Sequence, residues 1–313
     1  MTELFIDGSA GTTGLRIYER LEGRNDIHLI RLPEDRRKDP TARKEALNRA
    51  DIAFLCLPDA AAKEAVSLCD NPDTVLIDTS TAHRTDSAWA YGFPELSEAA
   101  EEKIRNSRRI AVPGCHASGF IALIFPLMKA GLLSESARLS CFSLTGYSGG
   151  GKKMIAEYEA EERDPLFAAP RQYGLSQTHK HLPEMTSVTG LACPPCFCPV
   201  VADFYSGMEV TVPLFGEWLT GSMKDIKEVY QALYTGPVVR YTEEPFETGF
   251  ASASKLAGTD SMEISVAGND ERILLIARYD NLGKGASGAA VECMNIKLGI
   301  EKTAGLQLWK GCV

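Results

Sequence analysis

The sequence predicts an α/β protein: a doubly wound domain with a parallel sheet, then an α+β domain whose sheet is mostly antiparallel. Three observations carry that expectation. Short apolar runs alternate with amphipathic stretches through the first hundred-odd residues, the order of βαβ units. From about residue 137 the strand-like runs lengthen and are punctuated as hairpins are. The chain has 313 residues, 44% hydrophobic and 24% charged, enough for two domain-sized cores.

In chain order, strands are expected at 3–7, 28–32, 52–57, 75–78 and 109–112, with helices over 15–21, 41–50 and 60–68 between them. Residues 117–130 read as a long apolar helix interrupted by Pro126, which is expected to kink it. The second domain should hold strands at 139–145, 209–213, 238–241, 262–268 and 272–280 and a helix at 226–233. A last helical stretch near 289–298 carries apolar surface suited to packing on the first domain.

Composition excludes several classes of function. Apolar stretches such as 120–128 fall short of the ~20 residues a bilayer-spanning helix needs, so no membrane partner is expected. A net charge of −9 and a pI of about 5.2 argue against a broad basic face, so none for nucleic acid either. The opening MTELFIDGSAGTTG has no basic stretch ahead of an apolar one, and a cytoplasmic setting is expected. Nine cysteines, at 56, 69, 115, 141, 193, 196, 198, 293 and 312, are too sparse for a disulfide scaffold and read mostly as core thiols. Cys193-Pro-Pro-Cys196-Phe-Cys198 has C-x2-C spacing, yet no second ligand pair occurs at zinc spacing, so no metal is expected and a proline-rich turn and strand is.

Three motifs carry chemistry. Gly8-Ser9-Ala10-Gly11-Thr12-Thr13-Gly14 follows the first strand and opens the first helix, where backbone amides and the helix dipole receive a pyrophosphate. Its G-x-x-G-x-x-G spacing is a variant of the dinucleotide fingerprint, and a Rossmann-type nucleotide domain follows. The second strand ends without the acid that grips a ribose 2′-hydroxyl and has Arg31, then Arg36, Arg37 and Lys38. Guanidinium groups suit a 2′-phosphate, so NADP(H) is the expected cofactor, held by Gly8, Ser9, Gly11, Thr12, Thr13, Gly14, Arg31 and Arg36.

In Pro113-Gly114-Cys115-His116-Ala117-Ser118-Gly119 a cysteine sits between a strand and a helix N-terminus, where unpaired amides stabilise a thiolate and can hold an oxyanion. Cys115 is the expected nucleophile. His179-Lys-His181-Leu-Pro-Glu184 supplies two imidazoles and a carboxylate for acid/base work, with His116 as a competitor, while His28 and His83 read as structural. The run from Gly146 through Ser148 to Lys152 and Lys153 nearly spells a P-loop but has lysine where magnesium chemistry wants serine or threonine. It is expected to be a flexible anion-contacting loop.

Together, residues 8–14, Asp78-Thr-Ser80-Thr-Ala-His-Arg84, Pro113-Gly-Cys115, the His179–Glu184 motif and Asn281-Leu-Gly-Lys-Gly-Ala-Ser-Gly resemble the N-acetyl-gamma-glutamyl-phosphate reductase family, in its shorter type. The resemblance spans nearly the whole chain. It implies the fold of the aspartate-semialdehyde dehydrogenase superfamily and NADPH-dependent conversion of N-acetylglutamyl phosphate to N-acetylglutamate semialdehyde, with release of inorganic phosphate, in arginine biosynthesis. It also implies His179 as acid/base, chosen over His181 on motif order. Arg84 would bind the phosphate or carboxylate, Ser80 and Asn281 would lie along the cofactor, and His181 and Glu184 would shape the substrate pocket. Ser118, Ser148 and Lys152 complete the expected substrate contacts.

One departure is Val200, where the family commonly has another histidine. The rivals are an aspartate-semialdehyde dehydrogenase, which usually has asparagine where Gly114 stands, a carrier-bound aminoadipyl phosphate reductase, and a non-catalytic NADP-sensing regulator. The expected division is 1–116 for the NADP-binding domain, 117–285 for a catalytic and dimerisation domain, and 286–313 for a C-terminal helix returning to the first. A homo-oligomer, dimer or tetramer, is expected from the second domain's sheet.

Overall fold

A computed structural model describes residues 1–311. The chain forms two compact units, one of Met1–Gly114 with Ala286–Leu306, the other of Cys115–Gly285 with the described residues from Gln307 onward. Cys115 and His116 therefore belong to the second unit, not to the end of the first, because both lie on a helix of that unit's core. The tail also divides. The Gln307 N–H donates to Asp260 Oδ2 at 2.8 Å, its carbonyl accepts from the Asp260 N–H at 2.7 Å, and Trp309 lies under the Arg240 guanidinium at 4.3 Å. Those pairings hold it in the second unit. Cys312 lies outside the described residues.

The first unit carries β1 (Thr2–Asp7), α1 (Thr12–Leu21), β2 (Ile27–Ile30), α2 (Pro40–Arg49), β3 (Ile52–Leu55), α3 (Asp59–Leu68), β4 (Val75–Asp78), β5 (Ala90–Tyr91), α4 (Glu98–Asn106) and β6 (Arg109–Ala111). Its sheet runs β2-β1-β3-β4-β6-β5, every pair parallel. β3 and β4 are buried along their whole length, and so read as apolar runs without alternation. One face packs Leu4, Ile6, Phe54 and Ile77 with Ala290, Val291 and Met294 of the last helix, and the other packs Phe5, Leu55 and Leu76 with Leu47 and Ala65.

The second unit carries α5 (Cys115–Lys129), β7 (Ser140–Gly146), α6 (Gly151–Tyr158), β8 (Arg171–Gln172), α7 (Leu182–Thr189), β9 (Cys196–Ala202), β10 (Met208–Phe215), α8 (Met223–Leu233), β11 (Val239–Tyr241), β12 (Met262–Gly268) and β13 (Arg272–Tyr279); α9 (Gly288–Leu298) follows in the first unit. Its sheet runs β11-β12-β13-β10-β7-β9-β8, antiparallel except for the parallel pairs β11–β12 and β7–β9. α5 packs on β10 and β13 with α7 and α8 against it, and is buried almost throughout.

Pro126 has a clear consequence within α5. It lacks the amide that would serve the Ala122 carbonyl one turn back, and its ring crowds that turn. Two tyrosines of the α8 region fill the deficit: Tyr234 donates to the Ala122 carbonyl at 2.7 Å and Tyr230 to that of Leu123 at 2.5 Å. Among the described residues no helix is long and apolar enough to cross a membrane.

Candidate active site

In the first unit, β1 hands the chain to α1 through a turn that excludes a side chain at Gly8 and at Gly14. Gly8 has φ +89°, and a Cβ there would meet the Cys56 carbonyl at 2.2 Å. A Cβ on Gly14 would meet the Gly8 carbonyl at 2.5 Å. Gly11 is the N-cap and offers no side-chain cap, so the amides from Thr12 and Thr13 are left to a ligand. A cleft of about 1050 Å³ opens beside this turn, lined by Gly8, Ser9 and Ala10 and, farther along, by Tyr18, Arg31, Arg37 and Lys38. Its size and its glycine and cationic walls fit a phosphorylated dinucleotide.

Arg31 lies over the Tyr18 ring at 5.1 Å and donates to its hydroxyl. Arg36 turns to Asp39, donating at 3.3 Å; the cations lining the cleft are Arg31, Arg37, Lys38 and Arg43, the last engaged by Asp7 and Glu64. At the end of β1, buried Asp7 accepts from Arg43 Nε at 3.0 Å; burial pushes the Asp7 carboxyl up and the guanidinium opposes that. After β4, Asp78 organises the next turn. Its carboxylate accepts from the Ser80 hydroxyl at 2.7 Å and the Ser80 N–H at 2.9 Å and lies 2.6 Å from His83 Nδ1, whose ring stacks on Trp89. Ser80 is thereby buried, and His83 is structural. Arg84 donates to the carbonyls of Val112 at 2.8 Å and Thr79 at 2.9 Å, which fixes its guanidinium against the end of the sheet.

In the second unit, Cys115 is the first residue of α5, where helix amides favour the thiolate form. The Gly285 backbone packs on it, since a Cβ there would lie 3.1 Å from the Cys115 Cβ. His116 is buried between Ser143 Oγ, 2.7 Å from Nδ1, and the Tyr173 hydroxyl, 2.6 Å from Nε2. Burial, with smaller contributions from His179 and Lys180, pushes the His116 imidazole down to about 3. The His179 and His181 rings stand 5.6 Å from that of His116 and 4.7 Å from each other, and Phe197 closes the cluster 5.1 Å from His179.

His179 is half-buried and is pushed down to about 4 by that burial and by Lys180. The His181 N–H donates to His179 Nδ1 at 3.2 Å, which puts the hydrogen of the neutral ring on Nε2. The ring is thus a neutral hydrogen-bond donor across ordinary pH. Ser118 is buried in the first turn of α5, and Glu184 on α7.

The glycine run after β7 departs from the expected loop: it makes a 3-10 turn, Tyr147–Gly150, that leads straight into α6. Ser148 there is buried and accepts from Asn281 Nδ2 at 3.0 Å, while Asn281 Oδ1 accepts from the Gly207 N–H at 2.9 Å. Two residues expected to touch ligands bond each other, and Gly146, where a Cβ would meet the Tyr205 carbonyl at 2.6 Å, lets its chain approach that segment. Lys152, exposed on α6, remains open to solvent. Sequence reasoning missed Tyr173, Ser143 and Tyr279, which wall Cys115 and His116, and nothing local marks them, since each reaches the site by sheet pairing or a turn far along the chain; Gly285 stood in the Asn281–Gly288 motif but was given no role. Among the described residues no group of three or more His, Cys, Asp or Glu side chains is arranged to hold a metal ion.

Comparison with known proteins gives a consistent result. Residues 115–281 match the family model described as semialdehyde dehydrogenase, dimerisation domain, and residues 5–104 the model described as semialdehyde dehydrogenase, NAD binding domain. The chain is 42% identical to N-acetyl-gamma-glutamyl-phosphate reductase 2 of Nostoc sp., over 97% of this chain and 99% of that protein. It is 45% identical to N-acetyl-gamma-glutamyl-phosphate reductase of Chelativorans sp., over 95% and 98% respectively. Among solved structures, aspartate semialdehyde dehydrogenase II of Vibrio cholerae shares the fold, with a TM-score of 0.70 at 14% identity over 96% of this chain and 98% of that one.

Proposed function

The chain belongs to the N-acetyl-gamma-glutamyl-phosphate reductase family, and from that premise we propose that it reduces N-acetylglutamyl phosphate to N-acetylglutamate semialdehyde, in arginine biosynthesis, through a thioester on Cys115. The observation that carries the reading is Cys115 on the first turn of a buried helix, followed by His116, whose ring clusters with His179 and His181, with His116 and His179 held neutral by burial. The Cys115 thiolate attacks the acyl carbon, the C–O bond to phosphate breaks, and phosphate leaves with the bonding pair. When bound, NADPH supplies the hydride that reduces the thioester to a thiohemiacetal oxyanion. Collapse of that oxyanion breaks the C–S bond, frees the aldehyde and restores the Cys115 thiolate.

His179 has a defined task in this scheme. With Nδ1 pinned by the His181 amide, Nε2–H donates to the carbonyl oxygen as negative charge develops on it, so a neutral imidazole is the useful form. Gly8, Gly11 and Gly14 let the α1 amides approach the cofactor's pyrophosphate, with Ser9, Thr12 and Thr13 beside them. Arg31, Arg37 and Lys38 are our choice for the 2′-phosphate, displacing Arg36. Arg84, Ser118, His181, Glu184 and Lys152 remain proposed substrate contacts. Ser80, Ser148 and Asn281 are read as holding turns in place.

We also read the protein as a cytoplasmic homodimer. Phe142, Leu274 and Phe215 are 40–48% exposed on one face of the second sheet, and Phe142 and Leu274 share that face with Thr211, Pro213 and Ile276 through the register of β7, β10 and β13. The deciding experiment follows NADPH formation from N-acetylglutamate semialdehyde, phosphate and NADP, with aspartate semialdehyde in parallel. Phosphate-dependent turnover of the acetylated substrate is expected. Turnover of aspartate semialdehyde alone would reassign the substrate, and turnover of neither would redirect the search to a carrier-bound aminoadipyl substrate.

A further inference from the structure

Three tyrosine hydroxyls donate to the backbone of α5, and two of them answer Pro126 as described above. The third has no proline to answer. The Tyr279 hydroxyl donates to the Cys115 carbonyl at 2.5 Å and accepts from the Gly119 N–H at 3.0 Å. These are the acceptor and donor of one i, i+4 position in the first turn, the turn that carries the nucleophile.

The surroundings are shaped for that hydroxyl. Tyr279 is fully buried at the end of β13, and burial, reinforced by the charge of Cys115, holds its pKa well above the usual tyrosine value. It therefore stays an O–H that donates and accepts at once. Room exists only because residue 119 is glycine: a Cβ there would lie 2.7 Å from the Tyr279 oxygen and 2.7 Å from Val210 Cγ2. The next residue, Asp280, accepts from the N–H groups of Leu282 at 2.6 Å and Gly258 at 2.5 Å and from the Ser206 hydroxyl at 2.8 Å. Its carbonyl also accepts from the Gly285 N–H at 3.0 Å, bringing Gly285 against the Cys115 Cβ. One strand end thus grips the Cys115 carbonyl and, six residues on, packs against its side chain.

We infer that Tyr279 is a positioning residue for Cys115: its hydroxyl, seated over Gly119, fixes the backbone of the nucleophile's turn and with it the direction in which Sγ meets the acyl carbon. The inference rests on the reading of Cys115 as nucleophile. A helix without the hydroxyl still forms, since the Cys115 carbonyl and the Gly119 N–H can bond each other. What is lost is the aim of the thiolate, and small misplacements of a reacting atom cost rate more than binding.

The test compares Tyr279→Phe with Tyr230→Phe, which removes an equally buried hydroxyl from the proline end of the same helix. Each is made in the full-length chain. For Tyr279→Phe, kcat is expected to fall at least tenfold, with KM for the acyl phosphate and for NADPH within about twofold of wild type, as a positioning defect requires. Alkylation of Cys115 by iodoacetamide, followed by mass spectrometry, should slow in parallel. Tyr230→Phe should keep kcat within about twofold. If Tyr279→Phe precipitates, Gly119→Ala replaces it, because the added methyl displaces the hydroxyl. Wild-type kcat and alkylation in Tyr279→Phe, or an equal loss in both tyrosine variants, would overturn the inference. Full activity in Cys115→Ala would instead remove the nucleophile reading beneath it.

Discussion

The two units of this chain meet their ligands in opposite ways. The first presents backbone amides on a wide cleft, with Arg31, Arg37 and Lys38 along it and no side-chain cap at the helix start. The second buries its groups: His116 is nearly inaccessible, His179 is half-buried, and both are held neutral well below the ordinary histidine value. A cofactor that must come and go is met by donors already open to solvent, which exchange bonds to water for bonds to the ligand, and salt screens its charged contacts. Covalent chemistry is placed where water is scarce and where a hydrogen bond to developing charge is worth more.

The largest effect that follows is from Cys115→Ala. Turnover should vanish while NADPH affinity, measured by fluorescence quenching, stays at the wild-type value, because the residues proposed for the cofactor are in the other unit. A loss of both would break the contrast between units. Next, His179→Ala removes the proposed donor to the oxyanion, and kcat should fall by about 10²–10³, with little change in the KM for NADPH.

A smaller effect is expected from the double variant Arg37→Ala, Lys38→Ala. NADPH affinity should weaken at least tenfold, since hydrogen bonds to charged groups contribute about 1.5–3 kcal/mol and about 1.4 kcal/mol is tenfold, while NADH affinity is unchanged. Arg36→Ala, whose partner is Asp39, should leave both affinities alone. If Arg36→Ala proves the more damaging, the assignment of the 2′-phosphate site is wrong.

The smallest effect is on stability against pH. Both imidazoles titrate lower in the folded protein than their ordinary 6.5, so the unfolded chain takes up those protons first. Stability should therefore fall as pH drops from about 6.5, through about 4 for His179 and about 3 for His116. Thermal melts should show a shallower acid-side loss in His116→Asn than in wild type. An identical slope would mean that the His116 ring is not held neutral.

How much of this was legible in the sequence depends on how local each signal is. The first parallel sheet was legible because β3 and β4 are continuous apolar runs and Gly8–Gly14 punctuates β1 and α1. α4 went unread because Ile104 alone of its residues is fully buried and five of the other eight are charged, its start marked by the Ser97 cap on the Ala100 N–H. β9 runs through Pro199, a residue that argues against an inner strand; Tyr173, just past β8, donates to the Pro199 carbonyl at 3.0 Å, and the proline, with no N–H to return that bond, lies where the β8 pairing with Val200 and Val201 ends.

In the site, Cys115 announces itself by its place after a glycine and before an apolar helix. Tyr279 does not, since its role depends on β13 ending beside the first turn of α5, a contact across 164 residues of chain. Asn281 was read from its motif as a cofactor contact, and its amide is taken up by Ser148 and Gly207. A motif names residues. Sheet register decides what they touch.

The most direct test of the central claim is to mix the enzyme with N-acetylglutamyl phosphate in the absence of NADPH, then quench in acid and weigh the protein and its peptides. The account predicts release of one phosphate per active site and an N-acetylglutamyl group bound through sulfur to Cys115. Phosphate release that waits for NADPH, or an acyl group found on any other residue, would contradict it.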